Sequence, residues 1–268
     1  PGQEESVCYV DGDLSEWTEE DKIFDTGEKS LSMKYDERFI YLLAYEKGFS
    51  NGEKKLYIPL DVTPNTGSTY CENYGLRFTR PADFVLTIDG ADNSRLKVQE
   101  RYEVLRAMFY HETHNEDAYL VPPDADTPVF KPINLMLQTA TPLLTGNWLA
   151  SSEVYETGKL AYGNADPSSP DYNSLADFIF AGDYVELKLP WQLLNFADPS
   201  RMTIHDDYYN DNYGVAYITI DTLYLGLADD TEEGRISLHP AALQGWGNKV
   251  TYHERLKPSY YTMQALWR

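Results

Sequence analysis

Short segments with a two-residue alternation of polar and apolar residues, each closed by turn-forming residues, recur along this chain of 268 residues. That period places successive side chains on opposite faces of a pleated strand, so it dictates β structure before any other feature is considered. Ser30-Leu31-Ser32-Met33-Lys34-Tyr35 alternates, Asp36-Glu37-Arg38 turns, and Phe39-Ile40-Tyr41-Leu42-Leu43-Ala44-Tyr45 follows as an apolar run of strand length, which predicts a hairpin. Lys55 to Asp61 reads as a strand ended by the Thr63-Pro64-Asn65-Thr66-Gly67 turn. Ala82 to Ile88 runs into Asp89-Gly90, with Arg95 to Tyr102 as its partner.

From Ala107 to Phe180 the pattern loosens into Pro, Asn, Asp and Ser, with short strand candidates such as Ile133 to Leu137, so 107–180 reads as a loop-rich insertion laid over a core. Strands return at Tyr184 to Leu189, where Pro190 opens a short helical turn over Trp191 to Leu194, and at Tyr217 to Leu227, a strand or a bent pair. Helix is confined to Tyr252–Leu266, limited by Pro258. Sandwiches of about 200 to 250 residues form single domains. The expected fold is therefore an all-β, two-sheet antiparallel β-sandwich, immunoglobulin/jelly-roll-like, spanning residues 1–268 as one elaborated domain with little helix.

Forty-three acidic against 22 basic residues give a formal charge of -21. Such a surface repels phosphate backbones and anionic headgroups, which argues against nucleic-acid partners. No run of about 18 apolar residues exists, so membrane insertion by a helix is not expected. The N-terminal Pro1-Gly2-Gln3-Glu4-Glu5 lacks the basic and apolar regions of a signal peptide, which is read as a matured or excised fragment. Cys8 and Cys71 permit one disulfide without demanding it, two free buried thiols being the alternative.

The order and punctuation of the strands resemble the family 9 carbohydrate-binding modules and the wider DOMON-like group that shares their sandwich. Val10-Asp11-Gly12-Asp13-Leu14-Ser15-Glu16-Trp17 looks like the family's initial Asp-Gly…Trp element. Tyr35-Asp36-Glu37 with Ile40-Tyr41-Leu42, Leu56 to Asp61 with Gly67, Ala82-Asp83-Phe84, and Tyr184-Val185-Glu186 through Trp191 resemble its later elements in order. The resemblance implies an extracellular or cell-surface module of a larger polysaccharide-related protein, holding sugar between two aromatic rings, often with structural calcium. Where the family places its first clamping Trp, Lys47-Gly48-Phe49-Ser50-Asn51-Gly52 offers Phe49; Gly245-Trp246-Gly247 matches the second.

Flanking Gly and Asn make Trp246 and Trp148 the candidates for an indole presented from a loop, while Trp17 and Trp191 read as core pins. Asp207, Tyr208 and Tyr209, within the run His205 to Tyr213, are expected to line a polar groove for oligosaccharide hydroxyls. Asp206, Asp207 and Asp211 are the candidate hard-oxygen ligands for calcium, with Asp11 and Asp13, and Asp229-Asp230 with Glu232 and Glu233, as further clusters. His111-Glu112-Thr113-His114 has its histidines three apart, against the four of the zinc-protease helix. Glu186 and Asp61 are the strand-borne acids for a paired-carboxylate glycosidase. The leading expectation is a non-catalytic sugar-binding domain. A structural domain packed on a catalytic or transport domain comes second and a glycoside hydrolase third.

Overall fold

The computed structural model describes residues 8–104, 122–138, 141–150, 153–210, 216–247 and 257–267. A five-stranded antiparallel sheet takes the order Lys22–Asp25, Lys29–Tyr35, Phe39–Glu46, Tyr184–Pro190, Phe178–Ala181. Its first hairpin closes because the Asp36 carboxylate accepts from the backbone N–H of Arg38 (2.8 Å) and Phe39 (2.9 Å), which satisfies the turn that the sequence places there. Leu42 faces Leu187 and Ile40 faces Leu189 across neighbouring strands, so their aliphatic side chains share one face.

A seven-stranded sheet lies against that face. Its main path runs His239–Ala242, Thr222–Leu225, Leu56–Asp61, Phe84–Ile88, Arg95–Gln99, Phe130–Pro132, with Ala228–Asp229 pairing beside Leu56–Asp61. Leu56, Ile58, Leu60, Phe84, Leu86, Leu96 and Leu223 pack against Leu31, Ile40, Leu42, Val185, Leu187 and Leu189 in one buried cluster, the core of a two-sheet sandwich. All six residues of Leu56–Asp61 are buried, because its other face is also covered. A small sheet of Ser68–Cys71, Leu76–Ala82 and Arg235–Ile236 forms a second cluster there, with Tyr57, Phe78, Val85, Phe130 and Ile236.

Pro59 sits inside this doubly covered strand, where a missing N–H would ordinarily break the ladder. It falls where its neighbour is interrupted between Thr222–Leu225 and Ala228–Asp229, and the Gly226 N–H donates to the Pro59 carbonyl at 3.1 Å. The segment expected as a strand or a bent pair is thus divided. Tyr217–Thr219 joins Phe196–Asp198 and Thr203–His205 in a separate three-stranded sheet, and Thr222 onward joins the large one.

The described parts of 122–180 hold Phe130–Pro132, a hairpin of Asn134–Gln138 with Glu153–Glu156, and a short pair of Thr141–Pro142 with Trp148–Ala150. The nine-residue helix Pro258–Leu266 begins at the proline, whose absent N–H is one of the unsatisfied donors of a first turn. No helix among the described residues is long and apolar enough to cross a membrane. Cys8 and Cys71 are both free thiols, buried in different clusters.

Candidate functional site

Glu186, Asp83 and Asp61, all buried, are occupied by the fold. Glu186 projects from the outer face of the Tyr184–Pro190 strand and is fully buried beneath the N-terminal segment. One oxygen accepts from the backbone N–H of Asp11 (3.1 Å) and Gly12 (3.0 Å), the other from Trp17 Nε1 (2.7 Å) and the Cys8 thiol (3.3 Å). Burial pushes its carboxyl above the ordinary carboxylate range, and these donors oppose the rise. Burial, and then the adjacent Glu186 carboxylate, hold the Cys8 thiol well above the ordinary thiol range. Asp83, fully buried, accepts from the N–H of Val62 (2.7 Å) and Thr63 (2.9 Å) and from the Thr66 hydroxyl (2.5 Å). Asp61 pairs with Arg80 at 2.8 Å. Each carboxylate fastens a segment to a sheet, a structural task that uses the acceptor capacity a hydrolytic pair would need.

Among the residues expected to hold sugar, Asp207 and Tyr209 share the Arg101 guanidinium, whereas Phe49 and Trp246 pack on other parts of the core. Phe49 is completely buried, edge-on to Phe180 at 5.3 Å, and presents no face to a ligand. Trp246 is half-buried against Trp191, ring centroids 6.1 Å apart. Of its glycine flanks, Gly245 serves close packing, while Gly247 takes a left-handed φ of 72° with open space where a side chain would stand. A Cβ on Gly245 would lie 2.5 Å from the Ser200 carbonyl, which also accepts from Gly247 N–H at 2.9 Å. Trp148 opens the strand Trp148–Ala150.

Tyr208 is 4% exposed, packed between Tyr102 and His205, so it lines no groove. Burial lifts its hydroxyl above the usual tyrosine range. Tyr209 lies under the Arg101 guanidinium, 5.4 Å from its ring centroid.

The calcium set fares no better. Asp207 is buried and held by Arg101 at 2.8 Å, which neutralises the charge a hard cation would need. Asp206 accepts from the Asn65 amide at 2.7 Å, and Asp211, like His111 to His114, lies outside the described residues. Asp11 accepts from Asp13 N–H, and Asp229 is engaged by Lys54 and Thr231. Among the described residues, the three groups that do converge are Cys8, Glu16 and Glu186, with ligand-capable atoms within 4.8 Å of one another. A thiol in that set does not suit calcium, which takes oxygen ligands.

An open cleft of about 440 Å³ lies instead between the insertion and the edge of the large sheet, lined by Ala91, Asp92, Tyr155, Lys159, Ala161 and Tyr162. Gly158 builds it. A Cβ there would meet the Leu96 carbonyl at 2.4 Å, and only a glycine lets residues 157–160 run this close to the Arg95–Gln99 strand. The approach is stitched by Leu96 N–H to the Gly158 carbonyl (2.7 Å) and Leu160 N–H to the Ser94 carbonyl (3.0 Å).

Tyr162 then leans on Phe180 (5.0 Å) and Phe178 (5.4 Å), which fixes its plane while 41% of it stays exposed. Tyr155, on the strand Glu153–Glu156 opposite Leu135, is 61% exposed. Two phenol faces with a carboxylate and an ammonium beside them form a surface for stacking and hydroxyl hydrogen bonds. Tyr162 is followed by Gly163-Asn164, the same kind of flank that marks Trp148 and Trp246, whereas Tyr155, between Val154 and Glu156, carries no such signal. No family model matches this chain, and no curated protein or solved structure is similar to it.

Proposed function

We propose that this chain is a non-catalytic glycan-binding module, of the carbohydrate-binding-module type, belonging to a larger extracellular or cell-surface protein. The observation that carries the reading is the pair of exposed rings, Tyr155 and Tyr162, in one cleft with Asp92 and Lys159. A pyranose presents an apolar face of C–H groups and a rim of hydroxyls; the rings take the face and the charged groups the rim. Binding without catalysis is favoured because Asp92 is the single carboxylate among the described residues lining the cleft, whereas glycoside hydrolysis employs two. Affinity electrophoresis through a panel of neutral polysaccharides tests this. The wild-type chain is expected to be retarded, and Tyr155→Ala to weaken retention about tenfold, which corresponds to about 1.4 kcal/mol. A wild-type chain that no polysaccharide retards overturns the reading.

A second reading, an interaction domain, is favoured by one observation. The hairpin that carries Tyr155 also exposes Leu135 (54%), Leu137 (56%) and Val154 (45%), and apolar side chains grouped on one surface element mark protein-contact surfaces.

A further inference from the structure

The outer face of the five-stranded sheet carries a second recess, of about 180 Å³, beside the segment that Glu186 anchors. Lys188 follows two residues after Glu186 on the same strand and therefore projects to the same outer face. Its ammonium stands 5.1 Å from the Phe39 ring centroid, and the Arg38 guanidinium stands 5.6 Å from that same ring. All three residues line the recess, together with Tyr41, Tyr172 and Ser174.

Two cations beside one ring repel each other unless an anion lies between them. In a chain with 43 acidic residues a carboxylate would be the ordinary partner. The nearest ones are used elsewhere. Asp36 accepts from the N–H of Arg38 and Phe39 and from the Tyr41 hydroxyl (2.9 Å), and Asp177 accepts from Ala161 N–H (2.9 Å). Neither Arg38 nor Lys188 makes an ion pair within 4.0 Å among the described residues. Burial lowers the Lys188 ammonium from its ordinary range, and the like charge of Arg38 acts the same way, while Asp177 and Asp36 oppose them. A ligand carboxylate placed there would remove that penalty.

We infer that this recess binds the carboxylate of an acidic sugar, a uronate residue, with Arg38 and Lys188 as the charge contacts. Tyr172, 47% exposed, supplies a ring for the sugar's C–H face, and the Ser174 hydroxyl a partner for one of its own. The guanidinium matches a carboxylate with two parallel donors, and the ammonium adds a point charge. The choice of a sugar as the carrier of the carboxylate rests on the glycan reading above. The recess lies on the first sheet, apart from the Tyr155 cleft, and the two share no lining residue.

Titration of the ¹⁵N-labelled full chain with glucuronate, glucose and acetate, followed by backbone amide shifts, tests the assignment. Glucuronate is expected to give saturable shifts at residues 38–41 and 172–174, glucose none, and acetate at least tenfold weaker ones. Arg38→Gln, at an exposed position, is expected to weaken glucuronate at least tenfold, and Lys188→Met similarly. Tyr155→Ala is expected to leave the shifts unchanged while it weakens retention by neutral polysaccharide. Absence of saturable shifts with glucuronate overturns the inference. So does an Arg38→Gln variant that binds glucuronate as the wild type does, and so do acetate shifts that saturate as readily as those of glucuronate. Failure of neutral polysaccharide binding alone overturns only the cleft reading, because the glucuronate shifts are measured at different residues.

Discussion

Asp83 offers the sharpest test of the physical account. It is fully buried, and burial pushes its carboxyl up to about 7 from 3.8, with the charge of Asp61 adding to the rise and three hydrogen bonds opposing it. Between those two pH values the folded chain holds a proton on Asp83 that the unfolded chain has released. The unfolded state then binds fewer protons, and stability falls as pH rises from about 4 to about 7. At about 1.4 kcal/mol for each pH unit the full effect is about 4 kcal/mol. Asp83→Asn keeps the shape and removes the charge. Its amide oxygen can accept from the N–H of Val62 and Thr63, and its amide nitrogen can donate to the Thr66 hydroxyl, which turns to accept. The variant is therefore expected to match the wild type near pH 4 and to exceed it by about 2 to 4 kcal/mol at pH 8. Urea unfolding of both proteins across pH 4 to 8 measures the difference directly, and subtraction removes the titration of every other carboxylate. A difference that stays constant with pH refutes the reasoning. So does an Asn variant less stable than the wild type at pH 8, since that would mean the three donors keep Asp83 ionised throughout.

Glu186→Ala removes the acceptor of two backbone N–H groups, the Trp17 indole and the Cys8 thiol, and leaves those half-buried or buried donors without it. A loss of about 3 to 5 kcal/mol is expected, read as a fall of about 10 °C in Tm, and a change below about 3 °C would contradict the anchoring role. Trp246→Ala removes a ring packed on Trp191 and the main core and is expected to cost about 2 kcal/mol in urea unfolding. Polysaccharide retention is expected to be unchanged in that variant; loss of retention in a folded protein would return Trp246 to the binding surface.

The sequence period located the sandwich because a strand's alternation is a local property. Lys29–Tyr35, Phe39–Glu46, Leu56–Asp61 and Tyr184–Pro190 fall within a residue or two of their expected limits. Chain divisions set by distant partners were less legible. The break after Thr219 and the position of Pro59 follow from which strands sit beside them, and the local composition of Tyr217 to Leu227 carries no trace of that. Aromatic exposure was the least legible property. A glycine beside Trp246 reads as a loop in sequence, whereas here it permits contact with the Ser200 backbone. Tyr155 and Tyr162 are exposed through the turn at Gly158, whose need for a missing Cβ is set by Leu96, a residue 62 positions away.

Asp11-Gly12, Trp17 and Glu186 show the same principle from the other side. They are distant in sequence, and they converge because one buried carboxylate must find donors, and an N-terminal segment crossing the sheet must place its N–H groups. That closure accounts for these residues without any ligand. Its presence argues for the fold. Binding has to be argued from the surfaces the closure leaves open, which here are the tyrosine cleft and the recess between Arg38 and Lys188.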